Sequence, residues 1–494
     1  MRELRDDQAT ALLNLRQAVG EGKRRIVMQA PTGFGKTVLA SALVESARAK
    51  RKRLIYTVPA ISLVDQTVEM FYSQGIRDIG VIQAHHAMTN WSEPVQICSV
   101  QTLQKHNIPE ADVVVIDECH RWFTFYERWL RDPKWANRPF IGMSATPWQK
   151  GLGNYYEHLI VAATTQDLID RGLLSDFRVF APSHPDLSGV RTVAGDYHEG
   201  DLSGCMNQSG LVADIVQTWL KRAEGRPTLC YAVDLLHARH LQEQFKAAGV
   251  ECGYQDKKTR DSDRRYLKRD FHNGTLKVVV NVGTLTTGID WDVRCISLVR
   301  PTKSQMLFTQ IVGRGLRNAD GKDYCLILDH SDNHTRLGFV TDIDASHTSL
   351  YDGKTRVTDT TQKIRLPKEC PQCSYMKPPG TAKCPVCAYV AEAHSKIEPT
   401  PGELAELKRK AKTLAEPLPR VFLAELRCYA IQHGYKPGWS AVKFKDKFGY
   451  WPDRSMEHDP PALIVSPQTA NWIKSRNIAW ARSKARADRL EGVR

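Results

Sequence analysis

Residues 25–37 read RIVMQAPTGFGKT, and this stretch decides the fold of the first part of the chain. The apolar run at 25–29 predicts a buried strand, and the sequence from Thr37 to Lys50 predicts a helix after a glycine-containing turn. Continuous apolar runs are typical of strands that are covered on both faces of a parallel sheet. Similar runs alternate with helical stretches further along, such as 61–73, which predicts a doubly wound α/β domain. These further runs are residues 54–58, 95–99, 112–116 and 140–144.

A second series of strands and helices, of similar size, begins at residue 228. Its predicted strands are residues 228–232, 277–281, 295–299 and 324–328. A passage rich in Gly, Ser and Asp, from Pro182 to Gly210, lies between the two series and predicts a linker. The predicted domains are 1–180 and 226–345 (both α/β), a linker at 181–225, a cysteine-containing region at 346–395 and a mainly helical, basic accessory domain at 396–494.

The turn after the first strand has the composition of a phosphate-binding loop. Gly33 and Gly35 let the backbone turn and point its N–H groups at an anion. Lys36 supplies a point charge to the β- and γ-phosphates, and the Thr37 hydroxyl can hold Mg²⁺. Ala30 stands where the general pattern has glycine, yet the order of strand, loop and helix still predicts a nucleoside triphosphate site. The predicted nucleotide-binding residues of this loop are Thr32, Gly33, Gly35, Lys36 and Thr37.

Two acidic residues, Asp117 and Glu118, follow directly after the apolar run at 112–116. A carboxylate at the end of a strand can bind Mg²⁺, and its neighbour can polarise the attacking water as a general base. On their own, two acids after a strand are more often a solvated surface feature. Their position downstream of a phosphate-binding loop favours the interpretation that Asp117 binds Mg²⁺ and Glu118 acts as the base.

The motifs, taken in order, resemble those of superfamily 2 helicases over about residues 1–330. Besides the phosphate-binding loop they comprise DECH at 117–120, SATP at 144–147 and QIVGRGLR at 310–317. The pattern is similar to the branch that holds type III restriction motor subunits, XPB-type helicases and phage-encoded DNA helicases. It is less like the DEAD-box RNA helicases, because the fourth residue of the acidic motif is His120 rather than Asp. The resemblance implies two RecA-like domains that bind ATP between them.

The resemblance also implies roles for individual residues. It places Arg5 and Gln8 near the adenine base, and Gly288 and Asp290 near the nucleotide from the second domain. The run at 144–146 is similar to the element that links the nucleotide state to domain movement. The contacts with nucleic acid that the resemblance implies are Pro59, Gln66, Gln101, Thr102, Thr284 and Thr286.

Arg314 and Arg317 carry a chemical argument of their own. They are three residues apart, so on a helix they would share one face. Hydrolysis spreads negative charge over the γ-phosphoryl oxygens, and arginine supplied from a facing domain neutralises that charge. We therefore predict that both arginines reach the phosphates when the cleft closes. The predicted catalytic residues are Lys36, Asp117, Glu118, Gln310, Arg314 and Arg317.

Four of the twelve cysteines have the spacing of metal ligands. Cys370, Cys373, Cys384 and Cys387 form two C-x-x-C pairs, which together supply four thiolates for tetrahedral Zn²⁺. All four positions would be filled and none left open for water, so the pattern predicts a structural zinc ribbon. Several of the other eight cysteines lie in apolar runs, which is typical of small buried side chains.

The chain has 494 residues and a formal net charge of +14, which is unevenly distributed. Residues 395–494 contain 19 Lys and Arg against 11 Asp and Glu, more than half of the surplus. A basic surface suits a polyanion, although basic composition is as typical of high solubility. Aromatic residues alternate with lysines there, so Trp439, Lys443 and Lys445 are predicted to contact nucleic acid. A small helical domain with an aromatic core is an equal alternative.

Composition and termini indicate an ordinary globular protein. Hydrophobic residues make up 42% and charged residues 25% of the chain, which excludes a mostly disordered or collagen-like protein. No apolar run approaches the roughly 20 residues of a membrane helix, and the first residues do not read as a secretory signal. We therefore expect a cytoplasmic protein of a bacterial or phage-infected cell, with no membrane partner, that uses ATP, Mg²⁺ and Zn²⁺.

The leading hypothesis is an ATP-dependent helicase or translocase that acts on single-stranded, duplex or branched DNA. An RNA-dependent ATPase stays open, because no residue decisively reads a 2′-hydroxyl. A nucleic-acid-binding adaptor that ATP merely switches is a third hypothesis, although such a switch could dispense with Glu118, Arg314 and Arg317. A fourth is the motor of a restriction system whose nuclease would be supplied by a partner.

Overall fold

The computed structural model describes residues 3–83, 86–286, 290–352, 366–390 and 418–477. The chain divides into two compact units, Met1–Ala393 and His394–Arg494. The first unit contains two parallel sheets and the cysteine-containing region, and the second is a small helical domain. Among the described residues, no helix is both long enough and apolar enough to cross a membrane.

The first sheet has seven strands, all parallel. In chain order they are β1 (Arg25–Gln29), β2 (Leu54–Val58), β3 (Ile79–Ile82), β4 (Val95–Ser99), β5 (Val113–Asp117), β6 (Phe140–Ser144) and β7 (His158–Val161). They pair in the order β3-β4-β2-β5-β6-β1-β7. Most of them are buried along their whole length, as expected for a parallel sheet with both faces covered. The carboxyl ends of β1 and β5 lie on either side of β6, so the glycine loop and the acidic pair share one edge.

The helices of this domain lie between the strands. They are α1 (Asp6–Gly20), α2 (Lys36–Ala49), α3 (Val64–Ser73), α4 (Val100–Leu103), α5 (Thr124–Arg131) and α6 (Thr165–Asp170), with 3-10 turns at Ile61–Leu63, Pro133–Trp135 and Leu152–Asn154. The predicted doubly wound domain is thus confirmed, and its five predicted strands agree with the observed ones to within one residue. The strands β3 and β7 were not predicted.

The second sheet has six parallel strands, and a short hairpin precedes most of them in the chain. The strands are β8 (Asp176–Phe180), the hairpin β9 (Thr192–Val193) and β10 (Asp196–Tyr197), then β11 (Thr228–Tyr231), β12 (Cys252–Gln255), β13 (Val278–Asn281), β14 (Cys295–Leu298) and β15 (Tyr324–Asp329). The helices are α7 (Glu199–Met206), α8 (Ser209–Arg222), α9 (Leu235–Ala247), α10 (Asp261–His272), α11 (Gln305–Gly315), α12 (Asn333–Leu337) and α13 (Val340–Ser346). The strand order β12-β13-β11-β14-β15-β8 confirms a second doubly wound domain.

The predicted domain boundary at residue 180 needs correction. The strand β8 pairs in parallel with β15, so the second sheet takes its edge strand from residues that were assigned to the first domain. The predicted linker at 181–225 also contains α8, which packs into the second domain's core through Val212, Ile215 and Trp219. A strand joins a sheet through its pairing partner, and the local sequence of β8 does not show that partner.

The two α/β domains share an apolar core. One buried cluster runs from Phe34 of the glycine loop through Leu174 to Phe308 on α11. Separate clusters lie around Tyr126 and Trp129 in the first domain, and around α8 and Phe245 in the second. The shared cluster places the two sheets of this unit in direct contact.

The cysteine-containing region packs against the edge of the second sheet. It contains the antiparallel pair β16 (Lys368–Glu369) and β17 (Met376–Lys377). Phe180 at the end of β8 bridges to Tyr375, and the next backbone N–H, of Ala181, donates to the Ser374 carbonyl at 3.0 Å. The region therefore covers part of an otherwise open strand edge.

The C-terminal unit is helical in its described part. It contains α14 (Pro419–Gln432), α15 (Trp439–Phe448), a 3-10 turn at Arg454–Met456 and helical residues 467–477. Its core is formed by Phe422, Leu423, Leu426, Phe444 and Ile473. The predicted mainly helical character is confirmed here, while residues 391–417 and 478–494 lie outside the described residues.

Candidate functional site

A cleft of about 480 Å³ opens between the two α/β domains of the first unit. This volume falls in the range of small-molecule sites. The residues that line it are Pro31, Thr32, Gly33, Gly35, Lys36, Thr37, Tyr56, Thr67, Met70, Asp117, Glu118, Leu173, Leu174, Arg314, Arg317 and Asn318. The structure therefore brings both predicted phosphate-binding elements and both predicted arginines to one place.

The glycine loop leaves the carboxyl end of β1 and ends where α2 begins. Gly33 and Gly35 have φ values of 87° and 88°, in the left-handed region that favours glycine. A Cβ atom at Gly33 would also overlap the side chain of Leu174. Because α2 starts at Lys36, its first backbone N–H groups and the positive end of its dipole lie at the cleft. The loop has the geometry of an anion site.

The acidic pair lies opposite the loop. Lys36 Nζ is 3.1 Å from Glu118 Oε1. Burial, together with the neighbouring Glu118 carboxylate, raises the pKa of Asp117 to about 6. Burial also opposes ionisation of Glu118, but the nearby Lys36 ammonium outweighs it and lowers the Glu118 pKa. Glu118 is thus ionised at neutral pH, and the Asp117 carboxylate with the Thr37 hydroxyl forms an oxygen donor set that suits Mg²⁺.

His120 connects three elements of the site. Gln310 Nε2, from the second domain, lies 3.0 Å from His120 Nε2 and donates to Thr146 Oγ1 at 3.2 Å. Burial lowers the pKa of His120 to about 4, so the ring is neutral at neutral pH. A ring that accepts at Nε2 carries its proton on Nδ1, which lies 2.8 Å from Ser144 Oγ and 3.4 Å from Glu118 Oε2. The sequence reasoning used His120 only as a family marker and missed this role.

The two arginines enter the cleft from the end of α11. Arg314 is 7% exposed, and its Nε donates to the Thr286 carbonyl at 2.9 Å. The predicted shared helical face is wrong, because α11 ends at Gly315 and Arg317 lies beyond it, bridged to Leu174. The turn after the helix nevertheless directs both side chains to the cleft. Burial lowers the Arg314 pKa, and burial together with Arg314 lowers the Arg317 pKa to about 10.

Arg5 and Gln8 lie behind the loop. Both side chains donate to the Phe34 carbonyl, at 2.7 Å from Arg5 and 2.8 Å from Gln8. They brace the loop and are not among the residues that line the cleft. The predicted contact with adenine stays a prediction.

Two residues of the second domain, Gly288 and Asp290, were expected near the nucleotide, and the structure describes only Asp290. The Asp290 carboxylate pairs with Lys268 Nζ at 2.7 Å, and its side chain is 71% exposed. It does not line the cleft among the described residues. Gly288 lies outside the described residues.

The predicted nucleic-acid contacts of the first domain follow the ends of adjacent strands. Gln101 Nε2 donates to the Pro59 carbonyl at 2.7 Å, which joins the loops after β2 and β4. The Thr102 side chain is held by Ser99 at 3.0 Å, whereas Gln66 is exposed on α3. Three of these residues therefore cluster at one sheet edge, and their contact with nucleic acid stays a prediction.

The predicted contacts of the second domain follow β13. Thr284 is partly buried, and the Thr286 carbonyl accepts the hydrogen bond from Arg314. This bond connects the candidate strand-contacting loop directly to an arginine of the cleft. The sequence motifs that contain Thr286 and Arg314 do not show this link.

The four cysteines of the predicted metal site come together. Their Sγ atoms all lie within 4.8 Å of one another, with 3.6 Å from Cys370 to Cys387 and 3.7 Å from Cys373 to Cys384. In each C-x-x-C pair the residue after the second cysteine has a positive φ, 57° and 60°. The two pairs thus form similar tight turns that point four thiols at one centre, which is a site able to hold a metal ion.

The aromatic and basic residues of the C-terminal unit lie on its surface or near it. Trp439 stacks on Tyr435 with ring centroids 4.6 Å apart and planes 8° apart. Lys443 pairs with Asp446 at 3.0 Å, and Lys445 lies over the exposed Trp451 ring at 4.5 Å. Trp439 is half-buried and packs against the core of this unit, whereas the Trp451 ring is exposed, so the aromatic-core alternative accounts for Trp439 but not for Trp451.

The chain is similar to several known proteins. Residues 1–149 match the family model "Type III restriction enzyme, res subunit", and residues 212–319 match "Helicase conserved C-terminal domain". A 51.5 kDa protein of Lactococcus phage (isolate 7-9) is 27% identical over 388 residues, which cover 75% of this chain and 80% of the phage protein. The putative ATP-dependent helicase IRC3 of Saccharomyces cerevisiae is 27% identical over 360 residues, which cover 66% of this chain and 51% of the yeast protein. The solved structure "ATP-dependent Type ISP restriction-modification enzyme LlaBIII bound to DNA" matches at a TM-score of 0.49 and 18% identity, over 67% of this chain and 28% of that one.

The two parallel-sheet domains and the cleft between them define the motor core of a superfamily 2 helicase. The chain is an ATP-hydrolysing helicase of this superfamily, related to the motor subunits of type III restriction enzymes. The resemblance seen in the sequence motifs is confirmed.

Proposed function

We propose that the protein uses ATP hydrolysis to move along DNA or to remodel it. The observation that carries this proposal is the composite cleft, in which Lys36 and Glu118 of one domain face Arg314 and Arg317 of the other. A site divided between two domains is complete only when they are close, so turnover is tied to their relative movement.

Each residue has a defined part in the reaction. Lys36 and the loop N–H groups bind the β- and γ-phosphates, and Thr37 with Asp117 would hold Mg²⁺, which would neutralise phosphate charge. Glu118 orients the attacking water and accepts its proton. Arg314 and Arg317 stabilise the negative charge that develops on the transferred group.

The hydrogen bonds at His120 couple this chemistry to domain position. Gln310 reaches across the cleft to His120, whose Nδ1 lies 3.4 Å from Glu118. Loss of the γ-phosphate removes the charge that holds the arginines, and opening of the cleft breaks the Gln310 bonds. A strand bound to both domains would be advanced by each such cycle.

The loops that hold Pro59, Gln101, Thr102, Thr284 and Thr286 are the proposed track for the strand. Backbone phosphates are the expected contacts, so binding should be salt-sensitive and poor in sequence preference. DNA is favoured over RNA because the matched family model is that of a restriction enzyme subunit.

We propose that the C-terminal unit provides a second nucleic-acid-binding surface. Its rings and lysines, among them the half-buried Trp439, the exposed Trp451 and Lys445, can stack on unpaired bases and bind phosphates. The parallel stacking of Trp439 and Tyr435 supports this role, because it presents a preformed aromatic surface.

We further propose that the four-cysteine site holds structural Zn²⁺. Thiolates about 2.3 Å from a tetrahedral Zn²⁺ lie roughly 3.8 Å from one another, close to the observed 3.6 and 3.7 Å. All twelve cysteines are free thiols, which suits the reducing cytoplasm of a bacterial or phage-infected cell.

The test is ATP hydrolysis measured without nucleic acid and with single-stranded DNA, duplex DNA, forked DNA and RNA. We expect stimulation by DNA and its loss in Lys36→Ala. Lys50→Ala, an exposed lysine directly after the same helix, is the matched control and should behave as the wild type.

Equal rates with and without every polynucleotide would overturn the motor proposal. Stimulation by RNA alone would replace DNA with RNA. A much larger effect of forked DNA than of either linear form would indicate branch remodelling.

A further inference from the structure

We call residues 340–352 the strap. They follow α12 of the second domain and run back to the first domain. They begin with α13, which packs against both α6 of the first domain and α11 of the second. The sequence shows no clear period here, and the family motifs of the core end before it. The strap is covalently attached to the second domain and joined to the first by non-covalent contacts, separate from the bonds at His120.

The first anchor of the strap is Asp344. Its side chain is buried, with 3% of the residue exposed. The carboxylate accepts from Gln29 Nε2 at 2.8 Å, from Thr165 Oγ1 at 2.9 Å and from the Thr165 backbone N–H at 2.5 Å. Gln29 is the last residue of β1, directly before the glycine loop. Asp344 therefore holds the base of the phosphate-binding loop.

The second anchor is His347. Its ring stacks on Trp148 with centroids 4.3 Å apart and planes 17° apart. Trp148 directly follows the SATP run that contacts His120 and Gln310. Burial lowers the His347 pKa to about 4, so the ring is neutral, and its Nε2 lies 2.9 Å from Oε1 of Gln305, the first residue of α11. His347 thus joins this run to the start of the helix that carries Arg314.

We propose that Asp344 and His347 are positioning residues, which set Arg314 of α11 against the phosphate-binding loop through Gln29, Trp148 and Gln305. Asp344 fixes the strap to the strand before the loop, and His347 fixes it between Trp148 and α11. Two anchors determine orientation as well as distance. The proposal rests on the ATP hydrolysis described above and not on the identity of the nucleic acid.

The hydrogen bonds of Asp344 indicate that it orients the two domains and does not merely hold them together. Cohesion between domains could be supplied by apolar residues, and a buried carboxylate is costly unless it is fully bonded. Three donors converge on Asp344, which fixes its direction. Gln29 Oε1 is buried and has no hydrogen-bond partner among the described residues.

Because Gln29 Oε1 has no hydrogen-bond partner among the described residues, Asp344→Asn can serve as a conservative variant. In Asp344→Asn, the amide oxygen can still accept from Thr165, and the amide N–H₂ can donate to Gln29 Oε1 if the Gln29 amide turns over. Asp344→Ala leaves all three donors unbonded. A comparison of the two variants therefore distinguishes the loss of the hydrogen bonds to residue 344 from the effect of any substitution at this position.

The experiment measures ATP turnover of the full chain. Asp344→Ala should lower kcat about tenfold and change KM for ATP less than about twofold, because the loop still binds phosphate while Arg314 is misplaced. Asp344→Asn should stay within about threefold of the wild type. Asp342→Ala, the same change on the same helix, is the matched control and should stay within about twofold. His347→Ala should reproduce Asp344→Ala and serves where that variant folds poorly.

A double-mutant cycle separates positioning from stability. Arg314→Ala and Asp344→Ala together should be no slower than Arg314→Ala alone, because both act through the same arginine. Multiplied losses, an unchanged kcat in Asp344→Ala, or equal losses in the Asn and Ala variants would each overturn the proposal.

Hydrogen exchange provides a readout without turnover. Residues 305–317 should exchange about tenfold faster in Asp344→Ala, whereas the core of the second sheet should not change. Unchanged exchange at 305–317 would count against the strap. A wild-type chain that hydrolyses no ATP would instead overturn the proposed function. The exchange result would still show whether Asp344 positions residues 305–317.

Discussion

Arg317→Gln is expected to stabilise the ligand-free chain while it slows ATP turnover. Arg317 lies in the cleft near Arg314. Burial and this second cation lower its pKa to about 10, although Asp290 opposes the effect. Because the folded-state pKa of this base is depressed, the charged form is disfavoured in the folded chain at every pH below about 10. The penalty is therefore fully present at neutral pH and is lost only as the pH rises through 10.

The lowered pKa of Arg317 corresponds to about 3 kcal/mol of unfavourable free energy for its charged side chain in the folded chain. Remaining solvent access screens part of this, and glutamine loses some packing of the longer side chain. We therefore expect the free energy of unfolding to rise by about 1–2 kcal/mol. An arginine at a transferred γ-phosphate contributes about 10³–10⁵-fold to kcat, so with Arg314 retained the loss should be roughly 10²–10³-fold.

Urea denaturation of the ligand-free chain at neutral pH measures the gain in stability, and steady-state ATP hydrolysis measures the loss of turnover. Arg260→Gln is the control, because Arg260 is an exposed arginine of the same domain that pairs with Asp263 at 3.1 Å. It should change the free energy of unfolding by less than about 0.5 kcal/mol. A decrease of more than about 1 kcal/mol in Arg317→Gln would refute the reasoning.

Other residues of the cleft and of the cysteine cluster have roles that substitutions can test. Glu118→Gln keeps the side-chain shape but removes the base, so single-turnover hydrolysis should fall roughly 10²–10⁴-fold while a fluorescent ATP analogue still binds. Because burial raises the pKa of Asp117 to about 6, Mg²⁺-dependent ATP binding should weaken as the pH falls through 6, and titration calorimetry should show a smaller dependence in Asp117→Asn, where only the terminal phosphate of ATP still titrates in this range. Cys373→Ser should lower the zinc content measured by atomic emission, whereas Cys205→Ser, outside the cluster, should not. Gln310→Ala removes two bonds across the cleft and should lower kcat roughly 5–150-fold without loss of ATP binding, and an unchanged kcat would contradict the coupling role.

The predictable part of the fold is the part that local composition determines. Strands covered on both faces of a parallel sheet must be apolar throughout, so β1, β2 and β5 stand out as apolar runs. The strand β8 has exposed and buried residues because it lies at a sheet edge, and its pairing with β15 is a tertiary choice. Its assignment to the wrong domain follows from that difference.

In the site, too, the sequence predicts local motifs but not the contacts between residues that are far apart in the chain. The glycine loop and the acidic pair are local motifs whose chemistry depends on spacing within a few residues, and the structure places them as expected. The bonds from His120 to Gln310 and from Gln29 to Asp344 join residues far apart in the chain. Single residues such as His120 and Asp344 carry no pattern that would reveal such partners.

The division of the catalytic site between two domains is tested most directly by single-turnover ATP hydrolysis in Arg314→Ala, compared with the wild type and Lys36→Ala in the presence of DNA. The first domain alone supplies Lys36, Asp117 and Glu118, so ATP should still bind to Arg314→Ala. Hydrolysis by this variant should fall roughly 10²–10³-fold below the wild type. Hydrolysis at the wild-type rate in Arg314→Ala would show that the first domain completes the chemistry by itself, and would contradict the composite site.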